Sequence, residues 1–189
     1  MPRPPILPTI DWESVFESGK TYQDWLAAGE VSENCQRMEA LRKELSLEPY
    51  MSGLLAALTR PVHIIAIAED WCGDVVRHVP GLQKLADDGP NIKVRYIRRD
   101  QHPDVFARFL TNGGEAIPKF IFLSPTFVEC GNWGPMPDAC RALIARGKAC
   151  GDVPAARKKV SALYEADSDE RVVMEELLKL IETAAASRP

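Results

Sequence analysis

Apolar residues recur at helical spacing through the first third of the chain. Trp12 and Phe16 stand four apart, as do Leu41 and Leu45, with Met38 three before them. Such stripes predict three or four short helices between a Pro-rich start (Pro2, Pro4, Pro5, Pro8), read as an extended arm, and Pro61. Thr21 and Ser32 are the expected N-caps. From Val62 the period changes. Val62 to Ala68 is a short run rich in branched residues, as in a strand buried on both faces. A helical stripe (Val75, Val76, Val79, Leu82, Leu85) then runs from Gly73 to Asp87 and ends at Gly89-Pro90. Asn91 to Arg98 reads as a second strand, and Pro103 to Leu110 as a helix stopped by Asn112-Gly113-Gly114. Lys119 to Leu123 and Thr126 to Cys130 are strands joined through Ser124-Pro125, too short a loop for a parallel crossover, so an antiparallel hairpin is expected. A helix from about Pro137 to Arg146 follows. The last segment, Pro154 to Ala186, reads as one long amphipathic helix or as two broken near Asp167-Ser168-Asp169, with a loose Ala-rich end.

The order is therefore α/β: a helical N-terminal extension over 1–60, a central domain over 61–150 in which strand, helix, strand, helix, hairpin and helix succeed one another, and a C-terminal helical extension over 151–189. The 189 residues suit one domain with additions rather than two independent ones. A formal charge of −4 gives no basic footprint, so neither nucleic acid nor a membrane is expected as a partner. The longest apolar runs are strand-sized and the amino terminus lacks a signal-like stretch, which leads us to expect a cytoplasmic protein. Five scattered cysteines, at 35, 72, 130, 140 and 150, do not look like a secreted disulfide framework and are expected to be reduced thiols.

The chemistry concentrates at the end of the first strand, in Glu69-Asp70-Trp71-Cys72-Gly73-Asp74. A cysteine just before the first turn of a helix faces unpaired backbone N–H groups and the positive end of the helix dipole, both of which favour thiolate. Trp71-Cys72-Gly73 at a strand-to-helix junction, Pro80 eight residues later and Ile117-Pro118 before the hairpin together resemble the thioredoxin superfamily. With Thr111-Asn112-Gly113-Gly114 and Trp133-Gly134-Pro135 they look like a bacterial thioredoxin-like family with a Trp-Cys-Gly-Asp motif and a helical N-terminal extension. The resemblance implies a thioredoxin-like fold, a central mixed sheet flanked by helices. It implies a nucleophile at Cys72, a cis-proline at Pro118, and a docking slot for a thiol or extended peptide shaped by Trp71, Gly73, Ile117 and Pro118.

Two departures qualify that implication. A dithiol enzyme would carry a second cysteine at position 75, where this chain has Val75, and the acid that thioredoxins bury six residues before the nucleophile is replaced by Ala66. No local disulfide can form, so a mixed disulfide must be resolved by glutathione, by a protein thiol or by a distant cysteine. Glu69, Asp70 and Asp74 are expected around the thiol. A charge about 6 Å away disfavours thiolate by roughly 0.7 kcal/mol in water-like screening and about 2.8 kcal/mol at a dielectric of 20. The helix terminus returns only about 0.3–2 kcal/mol, so the Cys72 pKa is not expected to fall far. His78, four residues from Asp74, is expected in a surface ion pair with it, and Cys35 in the core. No paired metal-ligand spacing or Gly-rich phosphate loop appears, so no metal and no cofactor is expected. Two functions stand. One is single-cysteine thiol–disulfide exchange with protein or low-molecular-weight thiols and disulfides as partners. The other is a non-catalytic protein-binding module on the same scaffold.

Overall fold

The structure is a computed structural model that describes residues 9–187, so the expected Pro-rich arm lies largely outside the described residues. The branched run forms strand β1 (Val62–Ile67), fully buried along its length as a central strand must be. It pairs in parallel with β2 (Ile92–Ile97), Val62 opposite Ile92 and Ile67 opposite Ile97. On its other side β1 pairs antiparallel with β3 (Lys119–Leu123), which pairs antiparallel with β4 (Glu129–Trp133). The result is a mixed four-stranded sheet of order β2-β1-β3-β4.

Among the described residues four helices precede the sheet: α1 (Trp12–Glu17), α2 (Tyr22–Ala27), α3 (Ser32–Glu44) and α4 (Pro49–Ala57). Between β1 and β2 runs α5 (Gly73–Asp88), with Pro80 inside it, and α6 (Pro103–Ala107) leads toward β3. After β4 come α7 (Asp138–Cys150), α8 (Val153–Ala166) and α9 (Arg171–Ala186), so the C-terminal segment takes the two-helix form. Alternate strand residues face opposite sides of the sheet. On one side α5 and α9 cover Phe120 and Trp133, whose rings stack at 5.2 Å. On the other, Phe16 of α1 meets His63 edge-on at 5.0 Å. The fully buried aromatics Phe16, Tyr96, Phe106, Phe120 and Phe122 tie these layers together, each contributing about 1.5–3 kcal/mol of apolar burial.

Several boundaries differ from the sequence reading for local physical reasons. The second hairpin strand starts at Glu129 rather than Thr126 because the Ser124 hydroxyl accepts the N–H groups of Thr126 and Val128. That turn holds Phe127 at φ 58°, with its ring stacked on His63 at 4.2 Å. Helix α6 stops at Ala107, short of Leu110, and Phe109 turns in to pack on Trp12 at 6.0 Å. Thr21 caps α2 by accepting the Asp24 N–H. Ser32, by contrast, is already the first helical residue of α3, whose N-cap Val31 gives its N–H to Asp70. The Ala-rich end is not loose: α9 continues to Ala186, with Ala184 fully buried.

Candidate functional site

Cys72 is the N-cap of α5, in extended conformation, and is partly buried. Its Sγ–H points to the Ile117 carbonyl oxygen at 3.5 Å, joining the strand-to-helix junction to the loop before β3. Burial pushes the Cys72 thiol pKa above its usual value. The N–H groups of Val75 and Asp74 pull it down, and the Asp74 charge adds to the rise. The sequence led us to expect only that this pKa would not fall far; it rises instead, and the leading cause is burial rather than a ring of carboxylates.

Beside the thiol, Trp71 is 49% exposed, and Arg99 lies over its ring at 5.8 Å. Nothing lies within 4 Å of where a Cβ would stand on Gly73, so this side of the turn is open. Ile117 is 5% exposed, and the Ile117–Pro118 and Gly134–Pro135 peptide bonds are both cis. Gly134 has φ 120°, and a Cβ there would collide with the Pro118 carbonyl oxygen, so only glycine lets these two loops approach. Lys119, 2% exposed, braces the same corner by donating to the Gly134 carbonyl and to Thr111 Oγ1, each at 3.0 Å. Burial, and secondarily the Arg141 charge, lowers its pKa to about 8.

The three acidic residues divide. Asp74 stays near the thiol, lining both clefts onto which Cys72 opens. Glu69 and Asp70 do not gather there and are corrected to structural roles. Glu69, 7% exposed, accepts the Arg99 N–H at 2.9 Å. Asp70, 5% exposed, accepts the Val31 N–H at 2.5 Å and the Cys35 thiol at 3.6 Å, tying the N-terminal helices to the site strand. Buried carboxylates are retained where such donors meet them.

His78 is also corrected. It is fully buried rather than at the surface, with Nδ1 2.7 Å from Glu170 and Nε2 3.1 Å from the Tyr164 hydroxyl. That hydroxyl is 3.0 Å from Asp74 Oδ1, to which it donates. Arg77 completes the cluster, 2.7 Å from Glu170 and donating to the carbonyls of Tyr164 and Asp167. The C-terminal helices thus reach the first turn of the Cys72 helix through a polar chain that ends on Asp74.

Among the other cysteines, Cys35 is half-buried against Asp70, Cys130 lies 3.3 Å from Ser187 Oγ, Cys140 is buried on α7 and Cys150 is exposed at its end. All five are free thiols. Tyr164, Glu170 and Lys119 were not singled out from the sequence. The only signal was a charge in an apolar context: Lys119 opening the run Phe120 to Leu123, and Glu170 between two apolar helical stripes.

The family model described as Thioredoxin matches residues 19–153. Among solved structures, the chain is similar to a protein of unknown function, PA1234 from Pseudomonas aeruginosa. They share 19% identity at a TM-score of 0.72, with 92% of this chain and 98% of that one covered. It is also similar to an HIV epitope scaffold, with 19% identity, a TM-score of 0.62, and 83% of this chain and 99% of that one covered. No curated protein matches the chain.

Proposed function

This chain belongs to the thioredoxin family, and from that premise we propose that it is a single-cysteine thiol–disulfide exchange protein that forms mixed disulfides through Cys72. The observation that carries the reading is the position of Cys72. It is a free, partly exposed thiol at the start of α5, facing the Ile117 carbonyl and opening onto two clefts. The free N–H groups at the helix start stabilise negative charge on sulfur as the thiol ionises and again as a mixed disulfide is broken. Trp71 and the Ile117–Pro118 loop border the approach, with the Ile117 backbone available to orient a partner. A thiolate of raised pKa is scarcer at neutral pH but more nucleophilic once formed. With Val75 at the position of a resolving cysteine, the mixed disulfide waits for a second thiol from solution or from a partner protein. The setting that suits this chemistry is a reducing cytoplasm, and the Trp-Cys-Gly-Asp motif with its N-terminal helices supports a bacterial branch of the family as its source.

Two observations favour the alternative, a binding module without turnover. Burial raises the thiol pKa, and Ala66, fully buried, offers no proton acceptor beneath it. The test is the rate at which iodoacetamide alkylates each cysteine as pH is raised, read by peptide mapping in the native protein and in Cys72→Ser. Exchange predicts Cys72 labelling that climbs steeply through the alkaline range and exceeds that of the buried Cys140. Labelling of Cys72 no faster than that of Cys140 at any pH would favour the binding module.

A further inference from the structure

Cys72 lies on the border of two clefts, of about 510 and 360 Å³. The smaller one has an apolar lining from Trp71, Ile117, Pro135, Met136 and Ile144, and it carries four cations, Arg99, Arg141, Lys148 and Arg157, against two carboxylates, Asp74 and Glu115. In a chain of net charge −4 this is a local reversal of sign. Most of it is uncommitted. Arg141 is paired with Asp138 and donates to the Gly134 carbonyl. Arg99, Lys148 and Arg157 make no ion pair among the described residues. Asp74 accepts from the neutral Tyr164 hydroxyl and keeps its charge, so the cleft sets its four cations against two carboxylates, Asp74 and Glu115.

We infer that this cleft takes a low-molecular-weight disulfide that bears carboxylates, with one sulfur at Cys72 and its acidic groups among Arg99, Lys148 and Arg157. The inference rests on the exchange chemistry proposed above. A small occupant fits better than an extended protein segment for two reasons. The volume lies at the lower end of the range for small-molecule sites. Arg157, from the added helix α8, lines both clefts, so it stands where a through-running peptide would have to pass. Uncommitted cations beside low-dielectric walls concentrate anions and speed their arrival.

In the reaction, the Cys72 thiolate attacks one sulfur of the bound disulfide. That S–S bond breaks as the new one forms, and the other half leaves as a thiolate that takes a proton from solvent, replacing the one Cys72 released. A second molecule of the same thiol attacks the mixed disulfide and restores Cys72, so the number of disulfide bonds is unchanged at every step.

The test uses the full chain and three disulfides of similar size: 3,3′-dithiodipropionate, bis(2-hydroxyethyl) disulfide and cystamine, which carry negative, zero and positive charge. The rate of adduct formation at Cys72 is measured for each by mass spectrometry and divided by its rate with a free cysteine peptide, which removes leaving-group differences. The dianion should exceed the neutral disulfide by about tenfold at low salt, with the dication slowest. The advantage should shrink in 0.5 M salt as screening shortens to a few ångströms. In Arg99→Gln/Arg157→Gln the dianion-to-neutral ratio should fall toward one. Equal normalised rates with adducts on Cys72 would overturn the inference while leaving exchange intact. Absence of a Cys72 adduct with all three would overturn exchange itself, and the inference with it.

Discussion

Lys119→Met removes a buried ammonium from the strand that follows the Ile117–Pro118 loop, and it should change how stability responds to alkaline pH. The lysine is 2% exposed, and desolvation lowers its pKa to about 8. The unfolded chain holds this proton up to about pH 10.4, so between the two values the unfolded state binds more protons and stability must rise with pH. At about 1.36 kcal/mol per unit, the charged lysine disfavours the fold by about 3 kcal/mol at pH 7 and about 1 kcal/mol at pH 9.5. About 2 kcal/mol should therefore return over that interval. Burial raises the pKa of Cys72 and Cys140, and these thiols act with the opposite sign, because the folded state then keeps protons that the unfolded chain loses. The informative quantity is thus the difference between native and Lys119→Met stabilities, measured by urea unfolding at both pH values. Methionine also removes the Lys119 donor to Thr111 Oγ1 and one of the two donors to the Gly134 carbonyl, which keeps Arg141, but that loss does not vary with pH. Native minus variant stability should be about 2 kcal/mol more favourable at pH 9.5 than at pH 7. A difference constant to within about 0.5 kcal/mol would refute the assignment of a buried, charged Lys119.

Two further substitutions probe how the site is held. Glu170→Ala strips Arg77 and His78 of a shared buried carboxylate and should lower unfolding free energy by about 3–5 kcal/mol, while Tyr164→Phe, which removes one hydroxyl, should lower it by about 1–2 kcal/mol. Urea unfolding checks both, and a Glu170→Ala loss no larger than that of Tyr164→Phe would contradict the buried ion cluster. Gly134→Ala forces a side chain against the Pro118 carbonyl at φ 120°, a strain of about 3 kcal/mol that should reduce the Tm by about 6–12 °C. An unchanged melting temperature would show that the two loops are not in close approach.

What could be read from the sequence was what is encoded locally. Val62 to Ile67 announces a buried strand through its own branched residues, and the stripe on Gly73–Asp88 announces the helix that presents Cys72, so the site's central junction was visible. What depended on distant partners was not. The spacing of Asp74 and His78 suggested a surface pair because residues four apart on a helix are neighbours. Instead Tyr164, 86 residues from His78 in sequence, stands between them, and Glu170, 92 residues away, draws the imidazole inward. Glu69 and Asp70 carry the same charge as Asp74, and nothing in the local pattern says that backbone N–H groups of Arg99 and Val31 claim them. The shift of β4 has a similar origin: a single Ser124 hydroxyl captures two backbone donors and lengthens the turn.

The central claim is that Cys72 is the thiol that exchanges, and the most direct measurement is to offer the reduced 189-residue chain a substoichiometric small disulfide and locate the first adduct among the five cysteines by peptide mapping. The account predicts that Cys72 carries it, ahead of the more exposed Cys150 and of the half-buried Cys35 and Cys130. An adduct that settles on Cys150 while Cys72 stays free would contradict it.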